Sequence, residues 1–343
     1  MVIGRICAVL ALLAAGMSIA QARPFTDAAG RKVELPEAIS RVFAAGPPAA
    51  VLAYVLAPDK LAGWVRAPGA AEKPFLLPSV RDLPTTGRLT GKEASADAAA
   101  VLAAKPDIIL DVGTVNADYA ALADRIQKET GVPYVLIDGS LAHSGETLRE
   151  VGGLLGVPER GRELAGYADA TLGKLKETLA RVPQDSRPRI YYGRGVDGLE
   201  TGLAGSINLE AVEAMGAVNV ASVAGNGGLT HVSLQQIAAW KPDVILAETA
   251  QFAKSAGTDA ALAGIPAVRD GRIYVPPSLP FGWIDSPPSV NRLIGLRWLE
   301  HRLYPQFFSG DLAAETRRFY RMFYGVDPGD DAIAGLLQGA AAP

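Results

Sequence analysis

Two stretches of this chain share one arrangement of apolar and polar positions. Val101-Leu-Ala-Ala-Lys-Pro-Asp-Ile-Ile-Leu110 returns as Ile237-Ala-Ala-Trp-Lys-Pro-Asp-Val-Ile-Leu246. Each copy reads as a helix end, a Lys-Pro-Asp turn and a strand. Proline disfavours helical backbone in the residue before it, so Pro106 and Pro242 stop the helices. The apolar runs Ile108–Leu110 and Val244–Leu246 do not alternate, as expected of parallel strands covered on both faces. Weaker echoes flank the pair in the same order. Arg41-Val-Phe-Ala-Ala-Gly46 matches Arg189-Ile-Tyr-Tyr-Gly193 as an opening strand, and Gly131-Val-Pro-Tyr-Val-Leu136 matches Gly271-Arg-Ile-Tyr-Val-Pro276 as a later one.

Each half therefore reads strand, helix, strand, helix, strand. The predicted fold class is α/β: two Rossmann-like lobes with mostly parallel sheets, joined by one long interlobe helix. That helix is expected at 160–182, where Leu164, Ala168, Leu172, Leu175 and Leu179 recur at helical spacing between Pro158 and Pro183. The expected organisation is an N-terminal lobe at 23–142, a linker region at 143–186 and a C-terminal lobe at 187–343. Residues 291–324 read as terminal helices, and the Ala/Gly-rich tail to Pro343 is expected to fray.

The first 22 residues stand apart. Arg5 precedes an apolar run from Ile6 to Ala15 that decays into Ala20-Gln21-Ala22. A positive start, a short apolar stretch and a small-x-small site predict a secretory signal peptide cleaved after Ala22. The run is shorter than the roughly 20 apolar residues a bilayer span needs. Cys7 is the only cysteine; it sits at the start of the run, where a lipoprotein cysteine would not be. The exported chain would then have no thiol, which excludes disulfides, thiolate zinc sites and cysteine nucleophiles. Export without an anchor points to the periplasm. A formal charge of −3 supplies no basic field for nucleic acid.

Several motifs bear on chemistry. Gly193-Arg-Gly195-Val-Asp-Gly198 matches a dinucleotide-binding pattern, but two more glycines follow before the expected helix near Ile207, and a cleft-edge loop is the better reading. Gly87 to Lys92 falls one residue short of a phosphate loop. The three histidines form no HExxH, so neither a protein-ligated metal nor a cofactor is expected. In open α/β sheets ligands sit beyond the C-terminal ends of the strands. That rule selects Tyr192 and Arg194 at the end of one strand, with His231 at a loop-to-helix junction. Gly282-Trp283-Ile-Asp285-Ser286-Pro287-Pro288-Ser289-Val-Asn291-Arg292 is the most distinctive stretch. Pro288 and Ser289 suit a helix start, Arg292 one turn on suits an oxyanion, and Trp283 suits a flat ligand. Arg66 and Arg88 are the cationic candidates of the first lobe. The ligand-binding candidates are thus Arg66, Arg88, Tyr192, Arg194, His231, Trp283 and Arg292. Each arginine also has a plain reading as a structural or surface charge, and Trp283 as a core residue.

Taken together, the chain resembles the class III periplasmic solute-binding proteins of ABC importers, the ferric-siderophore and vitamin B12 type. The resemblance runs from Phe25 to the C-terminal helices. It rests on Phe25-Thr-Asp-Ala-Ala-Gly-Arg-Lys-Val-Glu-Leu-Pro36, both Lys-Pro-Asp turns, the lone interlobe helix, Thr201-Gly202 with Ser206, and Pro-Pro-Ser-Val-Asn-Arg-Leu. It implies a monomer that captures a small ligand between its lobes and delivers it to an ABC permease dimer with its ATPase. A chelated metal such as a ferric siderophore is the first ligand implied. An oxyanion (molybdate or tungstate) and a corrinoid are the alternatives, and an exported α/β hydrolase is a remoter one. The family docks through a glutamate on each lobe; here Gln235 and Ala99 hold the matching positions, with Asp97 and Glu93 nearby.

Overall fold

The computed structural model describes residues 23–91 and 94–338. The expected leader, the tail from 339 and positions 92 and 93 lie outside these residues. The strands are β1 (Arg23–Thr26), β2 (Lys32–Leu35), β3 (Val42–Ala44), β4 (Ile108–Gly113), β5 (Tyr134–Asp138), β6 (Arg189–Gly193), β7 (Glu200–Gly202), β8 (Val218–Asn219), β9 (Leu229–His231), β10 (Val244–Ala247) and β11 (Ile273–Tyr274). The first lobe is built on a parallel sheet in the order β3-β4-β5, and the second on a parallel sheet in the order β11-β10-β6-β8. Two small antiparallel pairs, β1-β2 and β7-β9, complete the strands. Helices α1 (Pro47–Leu56), α2 (Ala98–Ala104), α3 (Ala117–Thr130) and α4 (Ser144–Leu154) belong to the first half. Then come α5 (Pro158–Arg181), α6 (Glu210–Ala214), α7 (Leu234–Trp240), α8 (Ala250–Thr258), α9 (Pro266–Arg269), α10 (Arg292–Leu303), α11 (Leu312–Phe319) and α12 (Asp330–Gln338).

The repeated motif folds the same way twice. Lys105 and Lys241 each end a helix in the left-handed region, at φ +49° and +48°. The helix thus breaks before each proline. Asp107 Oδ2 then accepts from the Ser40 and Arg41 amides, and Asp243 Oδ2 from the Arg189 amide. Arg41 and Arg189 close the loop from the other side by donating to the Ala104 and Trp240 carbonyls. Each turn therefore ties a helix end to the start of the opening strand. This sets the parallel registers Val42↔Ile108 and Val244↔Ile190.

The lobes are joined by α5, 24 residues that begin on Pro158 and bury Leu164, Ala168 and Leu175. Helix α4 lies against it. A Cβ on Gly152 would stand 2.7 Å from the Gly161 Cα, so these glycines permit the close approach. The C-terminal helices differ from expectation in two ways. Pro305 follows α10, which ends at Leu303, and a single π-helical turn, Tyr320–Tyr324, follows α11. The tail does not fray at once: α12 buries Ile333 and Leu336. Helix α10 has no polar face. Arg292, Arg297 and Glu300 are as buried as Leu293 and Trp298, because the helix is surrounded by the rest of the chain.

One apolar core runs through both lobes. It joins Tyr54 and Trp64 of the first lobe, Leu164 and Leu175 of α5, and Tyr192, Leu246 and Trp298 of the second. Phe281 packs on the Tyr54, Trp64 and Tyr324 rings across the junction, with centroids 5.6–6.3 Å apart.

Candidate functional site

Segments that follow strands of both lobes meet at the interlobe junction. Ser289 Oγ donates to the Pro48 carbonyl (3.2 Å), Arg292 Nη2 to the Gly139 carbonyl (2.6 Å), and the Leu141 amide to Glu210 Oε2 (2.7 Å). Pro48 follows β3 and Gly139 follows β5; Glu210 lies beyond β7 and Ser289 beyond β11. The lobes thus meet through segments that follow strand ends, the side of a parallel sheet where ligands are placed.

On the first rim, the Leu89 and Thr90 amides bond to the Ala45 carbonyl and hold the Arg88 loop against the tip of β3. Arg88 Nε donates to the Thr90 carbonyl at 2.7 Å. Arg66 continues the Trp64 segment, is largely exposed, and pairs with Glu72 at 2.5 and 2.9 Å. Beneath this rim, Asp111 on β4 accepts from the Tyr134 hydroxyl at 2.9 Å. Burial pushes its carboxyl up to about 6, against the opposing pull of that hydrogen bond.

On the second rim Arg194 is the centre. It follows β6 and its side chain is 14% exposed. Nε donates to Asp285 Oδ2 at 2.7 Å, and Nη1 reaches Glu200. Asp285 is buried and also accepts from Asn208 Nδ2 at 2.9 Å. Burial raises the Asp285 carboxyl above its ordinary range, and the Arg194 charge pulls it back. Glu248, just past β10, accepts from the Gly195 amide at 2.6 Å and from the Ser286 hydroxyl. His231 is exposed and stands opposite Glu200 in the β7-β9 register.

The structure thus groups Arg194 with His231 on one lobe and sets Arg66 and Arg88 on the other. Three further candidates turn inward. Tyr192 is buried beneath Arg194, where burial and the nearby Asp285 charge raise its hydroxyl. Trp283 is fully buried, and its Nε1 donates to the Tyr320 hydroxyl at 3.3 Å. Arg292 is 1% exposed, with its guanidinium spent on protein acceptors. Both Trp283 and Arg292 were expected to face a ligand at a helix start. The helix instead begins only at Arg292, and the C-terminal helices cover the loop before it. Sequence reasoning missed Glu200, Glu248, Asp285 and Asn208. Glu248 was within reach, lying two residues beyond a predicted strand. Ala99 and Gln235 are exposed on the first turns of α2 and α7.

Among the described residues no group of three or more His, Cys, Asp or Glu side chains is placed to hold a metal ion, and no helix is long and apolar enough to cross a membrane. Two α/β lobes joined by one long helix fit the architecture of a solute-binding protein. The chain belongs to the periplasmic binding protein family, whose model matches residues 64–279. It is of the class III type that serves ABC importers, and the family works with ABC permeases from the periplasm. It resembles an ABC transporter solute-binding protein from Sulfurospirillum deleyianum, with 29% identity over 92% of this chain and 99% of that one and a TM-score of 0.83. MolA of Haemophilus influenzae, solved with molybdate, shares the fold at 23% identity, covering 90% and 99% of the two chains with a TM-score of 0.74. CeuE of Helicobacter pylori, solved as a nickel–histidine complex, shares it at 14%, covering 92% and 99% with a TM-score of 0.70. No curated protein matches the chain in sequence.

Proposed function

We propose that this binding protein carries a chelated metal, an iron complex of the ferric-siderophore kind, held between Arg66 and Arg88 of the first lobe and Arg194 with His231 of the second. The observation that carries this reading is the setting of Arg194. A buried carboxylate fixes its Nε edge, Glu200 holds Nη1, and the side chain, 14% exposed, stands just past the tip of β6. A guanidinium held in this way suits the anionic donor atoms of a chelate. The neighbouring Glu200 and Glu248 suit its polar hydrogens. The metal would arrive inside its own ligands; CeuE, which shares the fold, was solved as a nickel–histidine complex. The mature protein acts as a periplasmic monomer, cleaved after Ala22, and binds its ligand without catalysis. Ser140, His143 and Asp138 lie together, but both partners face the same imidazole nitrogen, at 3.1 and 2.7 Å. A proton relay needs one on each. Docking to the permease uses the exposed Ala99 and Gln235 faces without the usual pair of glutamates.

The test is calorimetric titration of the purified mature protein with ferric hydroxamate and catecholate complexes, cobalamin, molybdate and tungstate. Saturable binding of a ferric complex, weakened at least tenfold by Arg194→Gln (about 1.4 kcal/mol) and also by Arg88→Gln, is expected. Binding of molybdate alone, or a ferric complex indifferent to both substitutions, refutes the chelate reading.

A further inference from the structure

The two lobes meet at an ion pair in which each partner touches both halves. Arg292 opens α10 in the second half of the chain, yet its Nη2 donates to the Gly139 carbonyl of the first lobe at 2.6 Å. Its Nη1 donates to the Ile207 carbonyl (3.2 Å) and to Glu210 Oε2 (2.8 Å), and its Nε to the Ser289 carbonyl (3.2 Å). Glu210 belongs to the second lobe but accepts from the Leu141 amide of the first at 2.7 Å. Ser289 adds its hydroxyl bond to Pro48. The joint is tight. Beside the guanidinium lies a cavity of about 10 Å³, lined by Gly139, Ser140, Ser144 and Thr147 from one side and by Ser289 and Val290 from the other. That is room for no more than about one water.

A guanidinium taken out of water is tolerated only where its N–H groups find acceptors. Here one of four acceptors comes from the first lobe and three from the second, so rotating the lobes apart would cost Arg292 one bond and leave the Gly139 carbonyl and the Leu141 amide without partners. Four anchor points around a planar fork also fix direction, which a single ammonium would not do.

We propose that Arg292 and Glu210 form an interlobe clasp that fixes the angle at which the two rims of the cleft confront each other. They are positioning residues for the site, independent of which ligand it takes. The nearby side chains of Asp138 and His143 are paired with each other and leave the clasp intact.

The test uses the full chain without ligand, so its outcome is separate from the identity of the cargo. Spin labels are placed on cysteines introduced at Lys128 of α3 and Lys254 of α8, both exposed, in a Cys7→Ser background. Pulsed dipolar spectroscopy reads the interlobe distance distribution, and hydrogen exchange reads the Leu141 amide. Arg292→Met is expected to broaden the distribution, move its mean outward and deprotect Leu141. Arg292→Lys should do so partly. Glu210→Gln covers the case in which Arg292→Met fails to fold, because its side chain is partly exposed; it should deprotect Leu141 and broaden the distances. Arg297→Met is the control. That arginine is equally buried but bonds only to Glu300 and Glu315 within the C-terminal helices. An unchanged distribution and unchanged Leu141 protection in a folded Glu210→Gln or Arg292 variant overturns the clasp. Equal broadening by Arg297→Met overturns it as well.

Discussion

Replacing Asp285 by alanine probes the most deeply buried charge of the second rim. The carboxylate is 1% exposed and accepts from Arg194 Nε at 2.7 Å and from Asn208 Nδ2 at 2.9 Å. Its removal leaves a guanidinium and an amide without their partner. Breaking a buried ion pair from one side costs about 3–5 kcal/mol. Arg194 keeps Glu200 and some access to water, so the expected loss is at the lower end, about 3 kcal/mol. At about 2.1 cal/mol/K of unfolding entropy per residue, a chain of this size would lose roughly 4–5 °C in melting temperature. Urea denaturation followed by tryptophan fluorescence gives the free energy directly. Asp285→Asn keeps the shape and an acceptor, and should cost about 1–2 kcal/mol. The double variant Arg194→Met/Asp285→Leu removes both charges. It should cost less than Asp285→Ala alone, because the attraction within a buried pair does little more than offset its desolvation. The reasoning is refuted if Asp285→Ala costs under about 1 kcal/mol, or if the double variant loses as much as the two single ones together.

Two other perturbations follow from the same structure. Burial raises the Asp111 carboxyl from 3.8 to about 6, so its protonated form favours the fold. That contribution is complete below pH 4 and is lost as pH rises to about 6, an effect on the order of 3 kcal/mol. Asp111→Asn should abolish this share of the decline; urea midpoints at pH 4 and pH 7 that change in parallel for both proteins would contradict it. A Cβ on Gly295 would fall 1.8 Å from the Trp283 carbonyl oxygen. Gly295→Ala should therefore destabilise by about 3 kcal/mol or more, measured by calorimetry, and a change within error would show that α10 and the preceding loop separate easily.

The two-lobed fold was legible because its determinants are local and repeated. Lys-Pro-Asp with a following apolar run encodes a helix stop and a buried strand twice over, and an arginine stands at the start of each opening strand. The short pairs β1-β2 and β7-β9 left little trace, since three or four residues carry too little alternation to be read. Among the candidates, the position of Arg194 just past a strand end was legible. Its orienting partner Asp285 was not, because the two lie 91 residues apart and no local pattern links them. Trp283 and Arg292 were expected to face outward, and both are buried. Position relative to a helix start gives no side-chain direction when later elements cover the loop, and α10 shows why: Arg-Leu-Ile-Gly-Leu-Arg-Trp-Leu-Glu-His-Arg-Leu has polar groups on every side, yet the helix is buried almost throughout.

The shared apolar core has a thermodynamic consequence. Tyr54 and Trp64 stand in the same continuous cluster as Tyr192 and Trp298, so neither half can melt without exposing the other's interior to water. Heating should therefore produce one cooperative endotherm, and expressing either half alone should yield a collapsed, aggregation-prone fragment. The molecule has two parallel sheets, but as a unit of unfolding it should be single.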